Sequence, residues 1–337
     1  MKFKNILFAA AAAMALTACS SDDTIETVQQ QSQFPEDGVM RFTTNLVAPT
    51  IATTRASITG SDLNQNGQTF QVKIVNPASA TYSYFNFVQY DGTEWTPVNR
   101  MLWQNDQQSI TVTAAYKQGK TFSDYDFIVG ANLTVAADQS TEAKLKQEDL
   151  LTMPTKTIAN PSQEQTLMQN GKLVINFYHA LTKLDVTLEL KDEFYPANIQ
   201  ALDITEFTIK GTNAGYNFLP MTTANENYGT VTVTASTAAD ILANQYNFTA
   251  GTAESKHSTA KYESIIVPQT IAAGQLTVSF KIGTRSFSWT NTTTYTLEQG
   301  KQYTLPLTVG NDGVTAGSRA FTASNWENGD SGNLVTE

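Results

Sequence analysis

The chain has 337 residues, of which 41% are hydrophobic and only 15% are charged. This length accommodates one large or two ordinary domains with their own cores, and the surplus of uncharged polar and aromatic residues favours β structure. The net charge is −10, and the sequence has no basic stripe to neutralise phosphates, which argues against a nucleic-acid partner.

The N-terminus has the pattern of an export signal. Two early lysines precede an apolar run over residues 6–16, which is too short to span a bilayer as a helix. The run ends at Leu16-Thr17-Ala18-Cys19, which resembles the lipobox of bacterial lipoproteins. We therefore expect residues 1–18 to be a signal peptide and Cys19 to be lipidated. The alternative is an ordinary secretory signal that contains a cysteine.

Cys19 is the single cysteine of the chain, so an internal disulfide and a cysteine-based metal site are excluded. Acyl chains on Cys19 would bury methylenes at about 0.8 kcal/mol each and anchor the protein to a lipid bilayer. The following run, Ser20-Ser21-Asp22-Asp23, resembles the export signal of surface lipoproteins in the Bacteroidetes group. We expect a surface-exposed lipoprotein of the outer membrane; retention on the periplasmic face is the alternative.

Residues 19–38 lack periodicity and are predicted to be a flexible tether. From Val39 onward the chain consists of short runs in which apolar and polar residues alternate, which is typical of strands with one buried face. We predict a first strand over 39–47 and further strands around 70–74 and 110–112. Asp91-Gly92 lies between two aromatic-rich runs and predicts a hairpin turn.

The stretch over residues 138–170 has a different character. Residues 142–151 are compatible with one helical segment, and Pro154 and Pro161 interrupt regular structure after it. We place a domain boundary here, with an N-terminal domain at 39–165 and a C-terminal domain at 166–337.

The second half has the clearest alternation. Strands are predicted over 173–177, 184–190, 276–282 and 303–309, and Pro306 in the last of these suits an edge position. Many short strands with frequent turns predict an all-β protein built of sandwiches.

Five segments resemble, in chain order, motifs of the fimbrillin family of Bacteroidetes, the subunits of type V pili. Each motif is short, and the resemblance rests on their shared order and on the lipobox. The segments are Glu148-Asp149-Leu150-Leu151 ("D-L-L"), the run from Asn176 to Leu184 ("F-x-H-x-L-x-K-L"), the run from Ile265 to Thr270 ("P-Q"), the run from Gly300 to Leu305 ("G-K-x-Y-x-L") and Trp326-Glu327-Asn328-Gly329 ("W-x-x-G").

Membership would imply two transthyretin-like β-sandwich domains after a lipoprotein signal peptide. It would also imply a structural or adhesive subunit of a fimbrium. Some members of the family, including anchor subunits, keep their lipid and are not processed, whereas in stalk subunits a surface protease cuts after an arginine and removes the first strand. A strand from another subunit then fills the groove, and its backbone hydrogen bonds and alternating side chains hold it there. The implied partners are other pilus subunits and a receptor or glycan on a host or bacterial surface.

Two arginines lie where such processing would occur. Arg41 lies inside the predicted first strand, whereas Arg55 follows it. A cut after Arg55 would release the strand with its lipid, and a cut after Arg41 would leave most of it; we therefore prefer Arg55. The alternative is an uncut arginine in a solvated loop. Candidate donor residues are Phe321 and the tail over 333–337.

Catalysis is not expected. The chain has two histidines, His179 and His257, and lacks the "G-x-S-x-G", Walker and "H-E-x-x-H" motifs. Its acidic residues do not follow calcium-loop spacing. We interpret both histidines as structural and expect neither a metal nor a cofactor.

A second hypothesis is a surface glycan-binding lipoprotein that does not polymerise. Trp95 and Trp103, on either side of Pro97, would be its first candidates for stacking on sugars. Aromatic residues are more often part of a core, which favours the structural interpretation of both tryptophans.

Overall fold

Several of the predicted features fall on residues that the structure does not describe. In the computed structural model, the described residues are 34–47, 58–119, 131–219, 229–234, 238–317, 321–326 and 331–332. The predicted signal peptide, Cys19, Arg55 and the tail over 333–337 therefore lie outside the described residues.

Strands account for most of the described chain, which confirms the expected all-β class. Two α-helices are described, α1 (Gly60–Leu63) and α2 (Glu142–Glu148), with short 3₁₀ helices at Ala80–Tyr82, Asp192–Ala197 and Ala201–Asp203. The first strands are β1 (Phe42–Leu46), β2 (Thr69–Val75), β3 (Tyr84–Tyr90), β4 (Trp95–Pro97), β5 (Ile110–Lys117), β6 (Ala131–Thr134), β7 (Leu150–Ile158), β8 (Met168–Gln169) and β9 (Lys172–His179).

The remaining described strands follow in chain order. They are β10 (Thr182–Leu190), β11 (Ile204–Asn213), β12 (Gly215–Leu219), β13 (Thr230–Val233), β14 (Ala238–Leu242), β15 (Asn244–Thr249), β16 (Ser258–Ile266), β17 (Gln269–Ile271), β18 (Thr277–Ile282), β19 (Arg285–Thr290), β20 (Tyr295–Leu297), β21 (Lys301–Gly310), β22 (Gly313–Ala316), β23 (Thr322–Asn325) and β24 (Ser331–Gly332).

The first sheet surrounds one hydrophobic core. Its described strands have the order β1-β4-β3-β2-β5-β7-β9-β8, and β1 pairs in addition with β9. Because β1 pairs with both β4 and β9, it closes the pairings into a ring. Phe70, Val72 and Ile74 of β2 are buried in this core, as expected when every second side chain points to the same face.

The second core lies between two further sheets. One has the order β15-β16-β10-β21-β23-β24, with β22 on β21, and the other has the order β14-β11-β18-β19. Alternate residues of β10 and β18 enter this core. Phe207 of β11 stacks on Tyr262 of β16 with 3.7 Å between ring centroids, so the two sheets pack face to face. This packing is that of a sandwich.

The predicted boundary at 165/166 does not coincide with the division between the two cores. β9 begins at Lys172, yet it pairs with β1 and β7 and contributes Phe177 to the first core. In the other direction, β6 pairs with β12 and Leu145 of α2 packs in the second core. Pairing between strands far apart in sequence decides membership of a core, and a boundary placed by composition does not detect it.

Two local predictions, a hairpin and a helix, can be compared with the described elements. Asp91-Gly92 connects β3 and β4 as a hairpin, in which Gly92 has a positive φ and the Asp91 side chain accepts the backbone N–H of Thr93. The predicted helix over 142–151 exists but ends at Glu148, because Leu150 already belongs to β7.

Pro306 lies in an interior strand rather than at a sheet edge. β21 pairs with β10 on one side and with β22 and β23 on the other. The β23 pairing ends at Thr304 and the β22 pairing begins at Leu307, so Pro306 falls between them. The Pro306 carbonyl accepts the N–H of Gly317, which follows β22, so the missing proline donor faces this same gap.

Candidate functional site

β1 is attached to the fold mainly through its backbone. It pairs in parallel with β9 from Phe42 opposite Leu173 to Leu46 opposite Phe177. The Leu173 N–H donates to the Arg41 carbonyl at 2.7 Å, and the Val47 N–H donates to the Phe177 carbonyl at 2.9 Å. On its other side, the described register with β4 is the pair of Phe42 and Trp95. β1 is thus held mainly by backbone pairing with one neighbouring strand, β9.

β1 contributes one fully buried side chain, Phe42, to the first core. Phe42 is buried and meets Phe70 edge to face at 6.1 Å, and Phe70 in turn contacts Trp95 at 4.9 Å and Phe177 at 5.6 Å. Residues 43–46 are half-buried or exposed. Burying one such ring contributes about 1.5–3 kcal/mol. β1 therefore closes an aromatic groove with the ring of Phe42, and Leu46 adds a partly buried contact.

The segment before β1 is docked rather than free, which corrects the C-terminal end of the tether predicted over 19–38. Pro35 is buried, and the Phe34 ring packs edge-on against the Trp103 ring at 5.8 Å. The backbone N–H of Trp103 donates to the Gly38 carbonyl at 2.9 Å. Residues 19–33 lie outside the described part of the chain.

Arg41 is held in place by Asp37. The guanidinium binds the Asp37 carboxylate through both of its oxygens, at 2.9 and 2.6 Å, and this hydrogen bond holds the pKa of Asp37 well below its usual range. Both side chains are about half exposed, so the pair adds little to stability. The Arg41–Phe42 peptide bond joins a carbonyl in the β9 ladder to a buried side chain. A protease that binds extended substrate cannot reach this bond while β1 is in place.

The chain is anchored again at Ile58, three residues after Arg55. The Ile58 side chain is buried in the first core and its N–H donates to Asp149 Oδ2 at 3.1 Å. Thr59 and Asp62 then form a capping box at the start of α1, and Asp62 binds Lys146 of α2 at 2.9 Å. The undescribed segment that contains Arg55 thus lies between two anchored parts of the chain.

Asp149 and His179 form a buried pair where the two cores meet. His179 Nδ1 lies 2.9 Å from both carboxylate oxygens of Asp149, and the imidazole stacks on the Trp326 ring at 4.1 Å with 5° between the planes. All three side chains are almost inaccessible. We call Asp149, His179 and Trp326 the junction cluster. It gives His179 a structural setting, with its two partners on two other segments.

His257 lies in an exposed ionic group. Its ring nitrogens lie 2.8 Å from Glu189 Oε1 and 2.5 Å from Asp192 Oδ1. The hydrogen bond to Glu189, followed by that to Asp192, raises the pKa of His257. Among the described residues, no group of three or more histidine, cysteine or acidic side chains is placed to hold a metal ion.

Neither candidate for sugar stacking presents an open ring face. Trp95 is 4% exposed, packs against Phe70 and Tyr90, and donates from Nε1 to Asn64 Oδ1 at 3.1 Å. Trp103 is 5% exposed and packs against Phe34. Both rings fill the first core, which is the structural interpretation of these positions.

The C-terminal candidates differ in their surroundings. Phe321 stacks on Tyr295 at 4.2 Å and lies 5.4 Å from Tyr303, so it packs at the border of its own chain's second core. Beyond it, β24 pairs with β23, with Gly332 opposite Ala323. Phe321 is thus used within its own subunit, and residues 333–337 lie outside the described part.

Comparison with known families decides how this architecture is classified. A family model described as fimbrillin-like matches residues 54–326. The chain belongs to the fimbrillin-like family. The match begins near the predicted cleavage site and ends at Trp326 of the junction cluster.

Two solved structures have a similar fold, and each is named a "putative cell adhesion protein". The one from Bacteroides uniformis has 16% identity and a TM-score of 0.54, over 87% of this chain and 99% of its own. The one from Bacteroides ovatus has 15% identity and a TM-score of 0.55, over 89% of this chain and 98% of its own. A comparison with curated proteins found no match.

Membership of the fimbrillin-like family supports the role of a pilus or adhesin subunit at the cell surface. Within the described ranges, no helix combines the length and apolar character needed to cross a membrane.

Sequence reasoning did not anticipate two parts of this site. It placed Arg41 in the first strand but did not foresee that Phe42 closes an aromatic groove. It also treated the "D-L-L", histidine and tryptophan segments as separate motifs, although Asp149, His179 and Trp326 meet in space. Their resemblance to family motifs was the available signal.

Proposed function

We propose that the protein is a structural or adhesive pilus subunit that assembles by β-strand complementation. The observation that carries this proposal is the way β1 closes the first sheet. Its ladder to β9 and its buried ring, Phe42, are contacts that an incoming strand reproduces. Once β1 leaves, β9 has an unpaired edge and the groove around Phe70 is open. Such an edge is prone to pairing with another chain.

We place the processing cut after Arg55 rather than after Arg41. Release of β1 requires a cut beyond it, and the Arg41–Phe42 bond lies at the start of the ladder. A cut after Arg55 retains Ile58 and α1 in the shortened chain, so the new N-terminus lies two residues before the Ile58 N–H that binds Asp149.

The N-terminal part of the proposal concerns export and anchoring. Residues 1–18 act as a signal peptide, and acylated Cys19 holds the precursor at the outer membrane with its folded part exposed on the surface. Cleavage after Arg55 then separates the subunit from its lipid. Other pilus subunits are the proposed partners, and a surface receptor or glycan is a further one.

We also propose two β domains, one around each buried cluster, that meet near Ala180, with β6 and α2 belonging to the second. The two buried clusters support this division, although Ser32–Glu337 forms one compact unit. Contacts such as those of the junction cluster explain why the two parts stay together.

The processing step is tested with Arg55→Ala and Arg41→Ala in cells that export the protein. N-terminal sequencing of surface protein is expected to start at Ala56 in the wild type and in Arg41→Ala. Arg55→Ala is expected to remain lipidated and to lack ladders on denaturing gels run without boiling. A mature wild-type start at Cys19 alone would overturn the processing proposal.

The donor role of the C-terminus is tested by deleting residues 319–337 and, separately, 333–337. If the tail is the donor, both deletions abolish polymers while the subunit keeps a cooperative unfolding transition. The shorter deletion spares Phe321 and the junction cluster, so it separates loss of the donor from loss of packing. Polymers of normal length from both variants would reject a donor in this tail.

A further inference from the structure

Three of the segments that resemble family motifs meet at one buried imidazole, and a fourth binds the third of them. Asp149 comes from the "D-L-L" segment, His179 from the end of β9, and Trp326 from the "W-x-x-G" segment. The backbone N–H of Trp326 donates at 2.7 Å to the carbonyl of Gly300, which opens the "G-K-x-Y-x-L" segment. Segments separated by up to about half of the chain thus share one contact point.

The first side of this contact point holds the chain after the proposed cut. Asp149 binds the Ile58 N–H with Oδ2 while both of its oxygens face His179 Nδ1. A buried carboxylate such as that of Asp149 requires its hydrogen bonds, because a carboxylate oxygen without a partner away from water costs free energy. The orientation of Asp149, which His179 helps to fix, therefore determines how firmly the segment over 58–63 is held.

The second side holds the base of the C-terminal tail. Trp326 is the last residue before the tail whose buried side chain is described, and its ring lies flat on His179. The hydrogen bonds to Asp149 fix the plane of the His179 imidazole. The Trp326 indole stacks on the imidazole only when the two rings are parallel. Further along the chain, β24 pairs with β23 before the tail over 333–337.

We infer that the junction cluster couples the hold on the new N-terminal segment to the hold on the C-terminal tail, with His179 as the positioning residue between them. Loosening of either end frees the imidazole and weakens the other, because a coupling of this kind is reciprocal. The use of the tail as a donor rests on the proposed function. The coupling predicts that a subunit releases its tail more readily after its own N-terminal segment has been cut.

The coupling is measured in the uncut monomer by hydrogen exchange of the segments 58–63 and 321–326. Trp326→Leu removes the stack and is expected to raise exchange of the Ile58 amide about tenfold, equivalent to about 1.4 kcal/mol. The indole is separated from this amide by His179 and Asp149, so loss of indole packing alone does not produce the effect. Trp326→Phe retains a stacking ring and is expected to restore most of the protection.

Trp289→Leu is the matched control, because it removes another buried indole from the same core. It is expected to lower the free energy of unfolding without a selective effect on Ile58. If Trp326→Leu speeds hydrogen exchange over 321–326 but leaves exchange over 58–63 the same as in the Trp289→Leu control, the coupling is rejected. Asp149→Asn provides the reverse test and is expected to loosen both segments together.

Cleavage provides an independent measurement. Protein cut after Arg55 is expected to show faster exchange over 321–326 than uncut protein, and equal rates would contradict the inference. A chain that shows the coupling but never polymerises would overturn the proposed function and leave the coupling intact. Polymerisation without any coupling would overturn the coupling and leave the proposed function intact.

Discussion

At the scale of single residues, the second core contains a buried ion pair whose disruption is expected to destabilise the fold. Lys183 Nζ lies 2.5 Å from Glu263 Oε2, and both side chains are fully inaccessible. Nearby, burial raises the pKa of Asp185, which accepts a hydrogen bond from the Tyr246 hydroxyl. A charge in such a place is tolerated because its partner is fixed on the neighbouring strand.

Glu263→Gln is therefore expected to lower the free energy of unfolding by about 3–5 kcal/mol, because it leaves a buried ammonium without its full counter-charge. The double variant Lys183→Met with Glu263→Leu removes both charges and is expected to lose much less. Urea unfolding of the three proteins measures this. Equal losses in the single and double variants would show that packing, not charge, sets the cost.

His257 gives the fold a pH dependence of known sign. Its pKa is raised in the folded state above the ordinary value of 6.5, so the stabilisation is complete below that pH and is lost as pH rises through the folded pKa. The difference in unfolding free energy between wild type and His257→Gln is expected to be largest in acid and to vanish in base. Both carboxylates are half exposed, so the effect is small. A difference that is independent of pH would contradict this assignment.

At the scale of elements, β11 depends on one glycine. Gly211 has φ +86° in a part of the strand where its register shifts, and a Cβ there would lie 1.9 Å from the Gln275 carbonyl oxygen. That contact is with backbone, so the strand itself would have to move. Gly274 has a similar φ of +81°, yet a Cβ there has open space.

Gly274→Ala is expected to cost about 1–2 kcal/mol, the penalty of a left-handed conformation alone. Gly211→Ala is expected to cost roughly a further 1–3 kcal/mol, because the overpacked β11 must also shift. Thermal unfolding of both variants measures the difference. Equal losses would mean that β11 adjusts freely at its bulge.

At the scale of the whole molecule, β1 is the part that the proposed processing removes. Protein cut after Arg55 and freed of β1 is expected to expose the groove around Phe70 and to self-associate. A peptide of residues 38–47, added in trans, should restore a monomer by pairing again with β9. The same peptide with Phe42→Ser retains the backbone ladder but lacks the buried ring, and it should bind far more weakly. Analytical ultracentrifugation distinguishes the states, and equal potency of the two peptides would contradict the role of Phe42.

Much of the fold was predictable because strand periodicity is local. The alternation over 184–190 and 276–282 identified β10 and β18, and Asp91-Gly92 identified a hairpin, since each depends on neighbouring residues alone. The order of motif-like segments identified the family that the match over 54–326 shows. The prediction of a lipidated Cys19 also depends on local sequence and remains a prediction.

Only the tertiary structure decided which strands pair and which side chains are enclosed. Periodicity specifies that one face of a strand is buried, but it does not specify the partner. The parallel pairing of β1 with β9, the burial of Trp95 and Trp103, and the meeting of Asp149 with His179 and Trp326 all depend on contacts across long stretches of chain. Such contacts exist only once the chain has folded, because their free energy comes from surfaces that separate segments bury together.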